Sequence, residues 1–201
     1  MLYPIQPKAI PGRDTHAYID GIFTSDEINK ILALPQWLQS EDAGIYGTTG
    51  GKSSMDKNIR ETSIAWVYPT PETMFMWEKV SSAVADINSR FFMFDLSGCY
   101  EPFQLGIYRG DTKGHYDWHT DLGVMDVNAP RKLSMTLMLS DPSEYEGGEL
   151  QLKTLSDKPI TAETPKGRAW FFPSYTLHRV APVTKGIRRS LVIWVGGPAF
   201  R

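Results

Sequence analysis

Cysteine is almost missing from this chain. The 201 residues hold one, Cys99, so no intrachain disulfide can form. Such a chain suits a reducing compartment, expected to be the cytoplasm. Long hydrophobic runs are missing too, so no membrane partner is expected. The opening "MLYPIQPKAIPGRD" has no apolar core of the secretory kind. Charge of one sign is scarce. Lys and Arg number 21 against 23 Asp and Glu, a net charge of −2, which argues against a nucleic-acid partner. Internal repeats and low-complexity segments are also absent. What remains is an ordinary globular composition, 41% hydrophobic and 12% aromatic, at a length that suits one domain with a sizeable core.

Thr24 and Glu27 are spaced as a capping box, and "EINKILALPQWLQ" carries Ile28, Ile31, Leu32 and Leu34 at helical spacing, so a short helix is predicted. Residues 41–58 are rich in Gly, Ser and Asn and read as a long loop, of a length that is often functional. "SIAWVYP" (63–69) reads as a strand. Residues 71–92 read as a helix packed on a sheet, with Pro71 in its first turn. From residue 99 short β-rich runs alternate with turn signals: "FQLGIYRG", "HYDWHTD", "KLSMTLMLS", "GGELQLKTL", "GRAWFFP", "HRVAPV" and "RRSLVIWVGG". The expected fold class is α+β: a double-stranded β-helix (jelly roll) core with N-terminal helices packed on its major sheet. One domain is expected over 1–201, with 1–98 as support and flap loop and 99–198 as the jelly roll.

Two of only four histidines fall in "GHYDWHTDLG" (114–123), each two residues ahead of an aspartate: His115 with Asp117, and His119 with Asp121. Residues i and i+2 of a strand share a face, so either pair could offer an imidazole and a carboxylate to one ion. An isolated triplet of this kind reads as readily as a polar strand surface. His178, at the start of another predicted strand, supplies a possible third ligand. Two histidines and a carboxylate are the facial set that leaves positions open on non-haem Fe(II). Ten residues on, Arg188, Ser190 and Trp194 share one strand face, while Arg189, Leu191 and Ile193 share the other. Arg188 beside Ser190 offers forked donors for a carboxylate. The same residues with Lys185 read equally as a solvated basic turn.

In order and spacing these pieces resemble the Fe(II)- and 2-oxoglutarate-dependent oxygenases, specifically the prolyl 4-hydroxylase-like group. The resemblance covers 100–197. It rests on "EPFQLGIYRGDTKGHYDWHTD", on "DPSEYEGGELQL", and on "FFPSYTLHRVAPVTKGIRRSLVIW". Upstream, "NIRETSIAWV" is similar to a strand that lies near the substrate in these enzymes. The resemblance implies a metal set of His119, Asp121 and His178, because Tyr116 stands three residues before His119 as the family's second tyrosine does. Independently, Asp121 precedes the loop "LGVMDVNAPR", which places His119 and Asp121 at the loop end of their strand. His115 and Asp117 are then expected on the entry rim or simply exposed. The resemblance further implies Fe(II), 2-oxoglutarate and O2, with ascorbate as a candidate reductant. It assigns the cosubstrate to Arg188, Ser190, Tyr108, Leu150 and Trp194, and the substrate to Arg60, Tyr116 and Trp66. It implies hydroxylation of a prolyl residue in a peptide or protein, with 41–58 as a flap.

Three other readings compete. A free amino acid or other small metabolite could be the substrate of the same chemistry. A cupin-like zinc hydrolase could use the same three ligands, but it would need a general base near the metal and has no use for Arg188. A non-catalytic metal-binding module would have no need of an intact ligand set and an intact arginine together.

Overall fold

The computed structural model describes residues 15–44, 56–122 and 130–199. After β1 (Ala17–Ile19), α1 (Ser25–Leu32) opens on the expected capping box. The Thr24 amide donates to Glu27 Oε2 at 2.8 Å and the Glu27 amide to Thr24 Oγ1 at 3.3 Å. The helix is shorter than its spacing suggested. Pro35 cannot donate to an α-turn and restricts the residue before it, so the chain continues as a 3-10 turn over Pro35–Gln39. The predicted loop 41–58 also needs correction at its start, because β2 (Glu41–Asp42) pairs there with Ile64 and Ser63. Residues 45–55, the body of the expected flap, lie outside the described residues, as do 123–129 of the loop after Asp121.

β3 (Arg60–Glu61) and β4 (Ser63–Val67) follow, then α2 (Met74–Ile87), which runs on into a π-turn over Asn88–Phe92. Pro71 is not in the first turn of α2. It lies three residues earlier, in a turn closed by Thr73, whose hydroxyl donates to the Tyr68 carbonyl at 2.7 Å. The remaining strands are β5 (Phe103–Arg109), β6 (His115–His119), β7 (Arg131–Met138), β8 (Tyr145–Gly147), β9 (Leu150–Leu152), β10 (Ile160–Thr161), β11 (Ala169–Pro173), β12 (His178–Val180) and β13 (Val183–Gly196).

One sheet runs β1-β11-β7-β13-β5-β4-β2, with β8 also paired to β13, and the other runs β10-β9-β12-β6-β3. From β5 onward the chain crosses repeatedly between the two sheets through antiparallel pairs, which is the winding of a double-stranded β-helix. The larger sheet presents one face to the helices. Leu105, Leu133, Met135, Leu137, Leu191 and Ile193 form one core with Ile28 and Ile31 of α1 and with Met76, Val80, Val84 and Ile87 of α2. Trp77 of α2 stacks on Phe103 with ring centroids 3.8 Å apart. The opposite face of the sheet looks into the space between the sheets. Period 2 along β13 therefore sends Leu191 and Ile193 to the helices and Arg188, Ser190 and Trp194 inward. No helix among the described residues is long and apolar enough to cross a membrane.

Candidate active site

β6 and β12 are neighbours in the smaller sheet, and their pairing sets His119 opposite His178. The two ring centroids are 4.2 Å apart. Asp121, just past the end of β6, completes the cluster. Its Oδ1 lies 3.8 Å from His119 Nε2 and its Oδ2 3.5 Å from His178 Nε2. One ligand atom from each of the three residues falls within 4.8 Å of the others, and among the described residues no other cluster of three potential metal ligands does so.

Neighbouring groups orient each of the three. His119 Nδ1 sits 2.7 Å from the Asp117 carbonyl, and His178 Nδ1 sits 2.9 Å from the Thr176 carbonyl. A carbonyl can only accept, so each Nδ1 carries the hydrogen and each Nε2 turns a lone pair to the centre. Ser134 Oγ on β7 donates to Asp121 Oδ2 at 2.7 Å and lies 3.0 Å from Ser174 Oγ. Burial, then the adjacent His178, push the His119 imidazole down to about 3. Burial alone would raise the Asp121 carboxyl. His178, His119, Arg131 and the Ser134 hydroxyl outweigh it and hold the group below its ordinary value. The site therefore offers the neutral imidazole of His119 and the carboxylate of Asp121 beside Nε2 of His178, donor types that suit a metal ion.

The inward face of β13 and β5 forms a second polar patch. Arg188 is fully buried. Its Nη1 donates to Ser190 Oγ and its Nη2 to Met138 Sδ, both at 3.4 Å, while its buried Nε has no partner. Tyr108 is its cross-strand neighbour, with Arg188 Cζ 5.1 Å from the ring centre. Desolvation lowers the Arg188 pKa, only partly offset by Tyr108 and Tyr145. A fully buried guanidinium with a sulfur, a hydroxyl and two phenols for company is costly unless an anion comes to it. The patch thus fits a carboxylate, as two imidazoles and a carboxylate fit a metal ion. Gly106 faces Ser190 across the strands. A side chain there would begin 3.3 Å from Ser190 Oγ and 3.5 Å from the Tyr108 ring, so glycine keeps the patch open.

The other residues singled out in the sequence surround these two groups. Tyr116 stacks on His119, with centroids 3.5 Å apart at 13°, and Arg60 covers the outer face of Tyr116 at 4.4 Å. Arg60 donates to Gln104 Oε1 and to the Gly44 carbonyl, and its Nε is buried without a partner. Trp66 and Trp194 face one another at 6.4 Å. Leu150 lies in an inward cluster with Leu152, Ala162, Trp170 and Phe172, and the Phe172 ring is 4.6 Å from that of His178. His115 stays outside the cluster, with its ring nitrogens 2.9 Å and 3.0 Å from the Lys113 and Asn58 carbonyls, and Asp117 is exposed.

The sequence reading missed Ser134, Ser174, Tyr145 and Arg131. The serines sit among apolar neighbours on β7 and beside β11, where period 2 marks them as inward but nothing marks them as polar partners of a carboxylate. The Arg131 guanidinium lies 3.6 Å above the Trp194 ring and pairs with Glu101.

Residues 103–196 match the sequence model of the 2OG-Fe(II) oxygenase superfamily. Among curated proteins, the PKHD-type hydroxylase PiuC of Pseudomonas aeruginosa is 29% identical over 187 residues, covering 88% of this chain and 76% of that protein. A PKHD-type hydroxylase of Synechococcus is 28% identical with the same coverage. Among solved structures, a Trichoplax adhaerens prolyl hydroxylase in complex with a hypoxia inducible factor peptide superposes with a TM-score of 0.73 at 18% identity, over 90% of this chain and 83% of that one. A Pseudomonas putida prolyl-4-hydroxylase superposes with a TM-score of 0.69 at 18% identity, over 92% and 94%. These superpositions carry the fold, and the sequence matches show what the chain is similar to over 103–196 and beyond.

Proposed function

We propose that this chain is a 2OG-Fe(II) oxygenase, a dioxygenase of the prolyl 4-hydroxylase-like kind, that His119, Asp121 and His178 hold its Fe(II), and that it hydroxylates a prolyl residue in a peptide or protein. The observation that carries this reading is the buried Arg188, without an anion, on the inward face of the same barrel as the His-Asp-His cluster. Bound Fe(II), with 2-oxoglutarate and O2, supplies the oxidation that converts the cosubstrate to succinate and CO2 and puts one oxygen atom into the substrate.

The chain's own residues bind and orient. His119 and His178 present Nε2, because their Nδ1 hydrogens are held by backbone carbonyls. Asp121 presents a carboxylate fixed by Ser134. Arg188 pairs with the far carboxylate of the cosubstrate, helped by the Ser190 hydroxyl and, from the facing strand, by Tyr108. Leu150 and Trp194 close the pocket against water. Arg60, Tyr116 and Trp66 form the rim on which the substrate rests, with Tyr116 also bracing His119. The same reading takes 99–198 as the jelly-roll core and 1–98 as its support, and places the enzyme in the cytoplasm. A peptide substrate is favoured by the complex of the Trichoplax neighbour with a peptide.

The test has two steps. Without O2, 2-oxoglutarate is titrated into the Fe(II) protein and the metal-to-ligand charge-transfer band is followed in wild type, His119→Ala, Asp121→Ala, His178→Ala and His115→Ala. The band is expected in wild type and His115→Ala only. Loss of metal in His115→Ala with retention in His119→Ala would sink the ligand assignment. With O2, succinate release and gain of one oxygen atom are measured against proline-containing peptides, free proline and other free amino acids. Turnover of a free amino acid and of no peptide would replace the peptide reading.

A further inference from the structure

We propose that Arg131 is a positioning residue for this reaction, one guanidinium that fixes the backbone of Asp121 and the indole of Trp194 relative to each other. The proposal rests on the reading of His119, Asp121 and His178 as the metal set.

The backbone supplies the first argument. Regular alternation along β7 would send Arg131 outward with Leu133 and Met135, into the core under the helices. It does not go there. The pairing of β7 with β13 slips between Val195 and Gly196, so that Val195 faces Leu133 but Gly196 faces Arg131. Two residues of β7 thus oppose one step of β13, which is a β-bulge. Such bulges re-aim a side chain and recur beside active sites. Here the bulge turns Arg131 inward. A Cβ at Gly196, beside the slip, would lie 2.3 Å from the Tyr100 ring, so a larger residue there would have to displace that exposed side chain.

The contacts of the guanidinium supply the second. Its Cζ lies 3.6 Å from the Trp194 ring centre, a close cation–π contact. Nε donates to Glu101 Oε1 at 2.6 Å, and Nη2 bonds Glu101 Oε2, so the carboxylate is held bidentately. Nη1 is left for the Asp121 carbonyl at 3.4 Å. The side chain is 11% exposed, so this is not a solvated surface pair. β7 therefore grips Asp121 twice, by Ser134 at the carboxylate and by Arg131 at the carbonyl. Each of the three guanidinium nitrogens has a partner. A lysine, with one point charge, could keep the attraction but not the geometry.

Arg131→Met and Arg131→Lys test this in the full-length Fe(II) protein, by anaerobic 2-oxoglutarate titration, the position of the charge-transfer band, and thermal melting. Partners that orient metal ligands are worth about 10- to 100-fold in affinity. Arg131→Met is expected to weaken cosubstrate binding by about tenfold or more and to shift the band. Arg131→Lys is expected to lose about threefold with less shift, at a melting temperature close to wild type. Unshifted bands in both variants, with affinity unchanged or falling only in step with melting temperature, would mean a purely structural pair and overturn the proposal. If Arg131→Met does not fold, Glu101→Gln, which loosens the guanidinium in place, must shift the band, and a wild-type band there overturns the proposal too. Absence of the band in wild type would instead bring down the metal assignment, and this inference with it.

Discussion

Two adjacent arginines, Arg188 and Arg189, are equal in composition and opposite in position. Arg188 is fully buried and faces inward, while Arg189 is half-buried on the other face. A desolvated, charge-assisted pair with a carboxylate is worth about 2–4 kcal/mol. Arg188→Met is therefore expected to raise the 2-oxoglutarate dissociation constant at least about tenfold without loss of iron, and Arg189→Met to change it less than about threefold. Stability should move the other way. Without cosubstrate, removing an unpaired buried charge should leave the melting temperature unchanged or higher, and saturating 2-oxoglutarate should restore wild type to first place. The imidazole of His119 gives a second expectation. An unfolded chain protonates it below about 6.5, but the folded protein resists until about 3. Metal-free protein should thus lose stability as pH falls through that window, by up to about 1.4 kcal/mol per pH unit from this group. Urea midpoints from about pH 7 to about pH 4.5 should fall less steeply in His119→Asn than in wild type. At this scale the sequence told Arg188 from Arg189 because β13 alternates without interruption across them. It could not single out Arg131, because a bulge overrides alternation there and a bulge needs the partner strand to be seen.

Elements were legible where local chemistry decides them. The Thr24–Glu27 capping box starts α1 where the spacing places it, and Thr24→Ala should cost about 1 kcal/mol in urea unfolding while leaving cosubstrate affinity intact. A cost below about 0.3 kcal/mol would mean that the Lys79 ammonium, 2.7 Å from Glu27, holds that helix end by itself. The C-terminal limit of α1 and the start of α2 were harder. Pro35 and Pro71 sit within apolar spacing that fits a helix, and what the chain does instead, a 3-10 turn and a turn tied by Thr73, depends on neighbouring hydrogen bonds. β2 was missed for a related reason. Glu41 and Asp42 are poor strand residues, exposed and charged, and they are extended only because β4 offers them a free edge.

For the whole molecule, the density of short strands after residue 99 sufficed for the jelly roll, but not for the order in which they lie. That order makes the site: His119 meets His178 only because β6 and β12 are neighbours, although 59 positions separate them in the chain. The larger sheet carries the rest on one strand of 14 residues, β13, with Arg188 and Trp194 on its inward face and six positions apart. Trp194 pairs with Ser134, which holds Asp121, so the His-Asp-His cluster is tied to the same pair of strands as Arg188. Strands stretch little and shift register only by whole steps. To move the arginine along the inward face means moving it by two residues, about 6.6 Å, far more than one methylene. β13 therefore acts as a fixed caliper. It should accept 2-oxoglutarate and discriminate against oxaloacetate and 2-oxoadipate, each one carbon off, by about tenfold or more in anaerobic titration. No small adjustment of the pocket walls would relax that choice, because the gauge is the backbone itself.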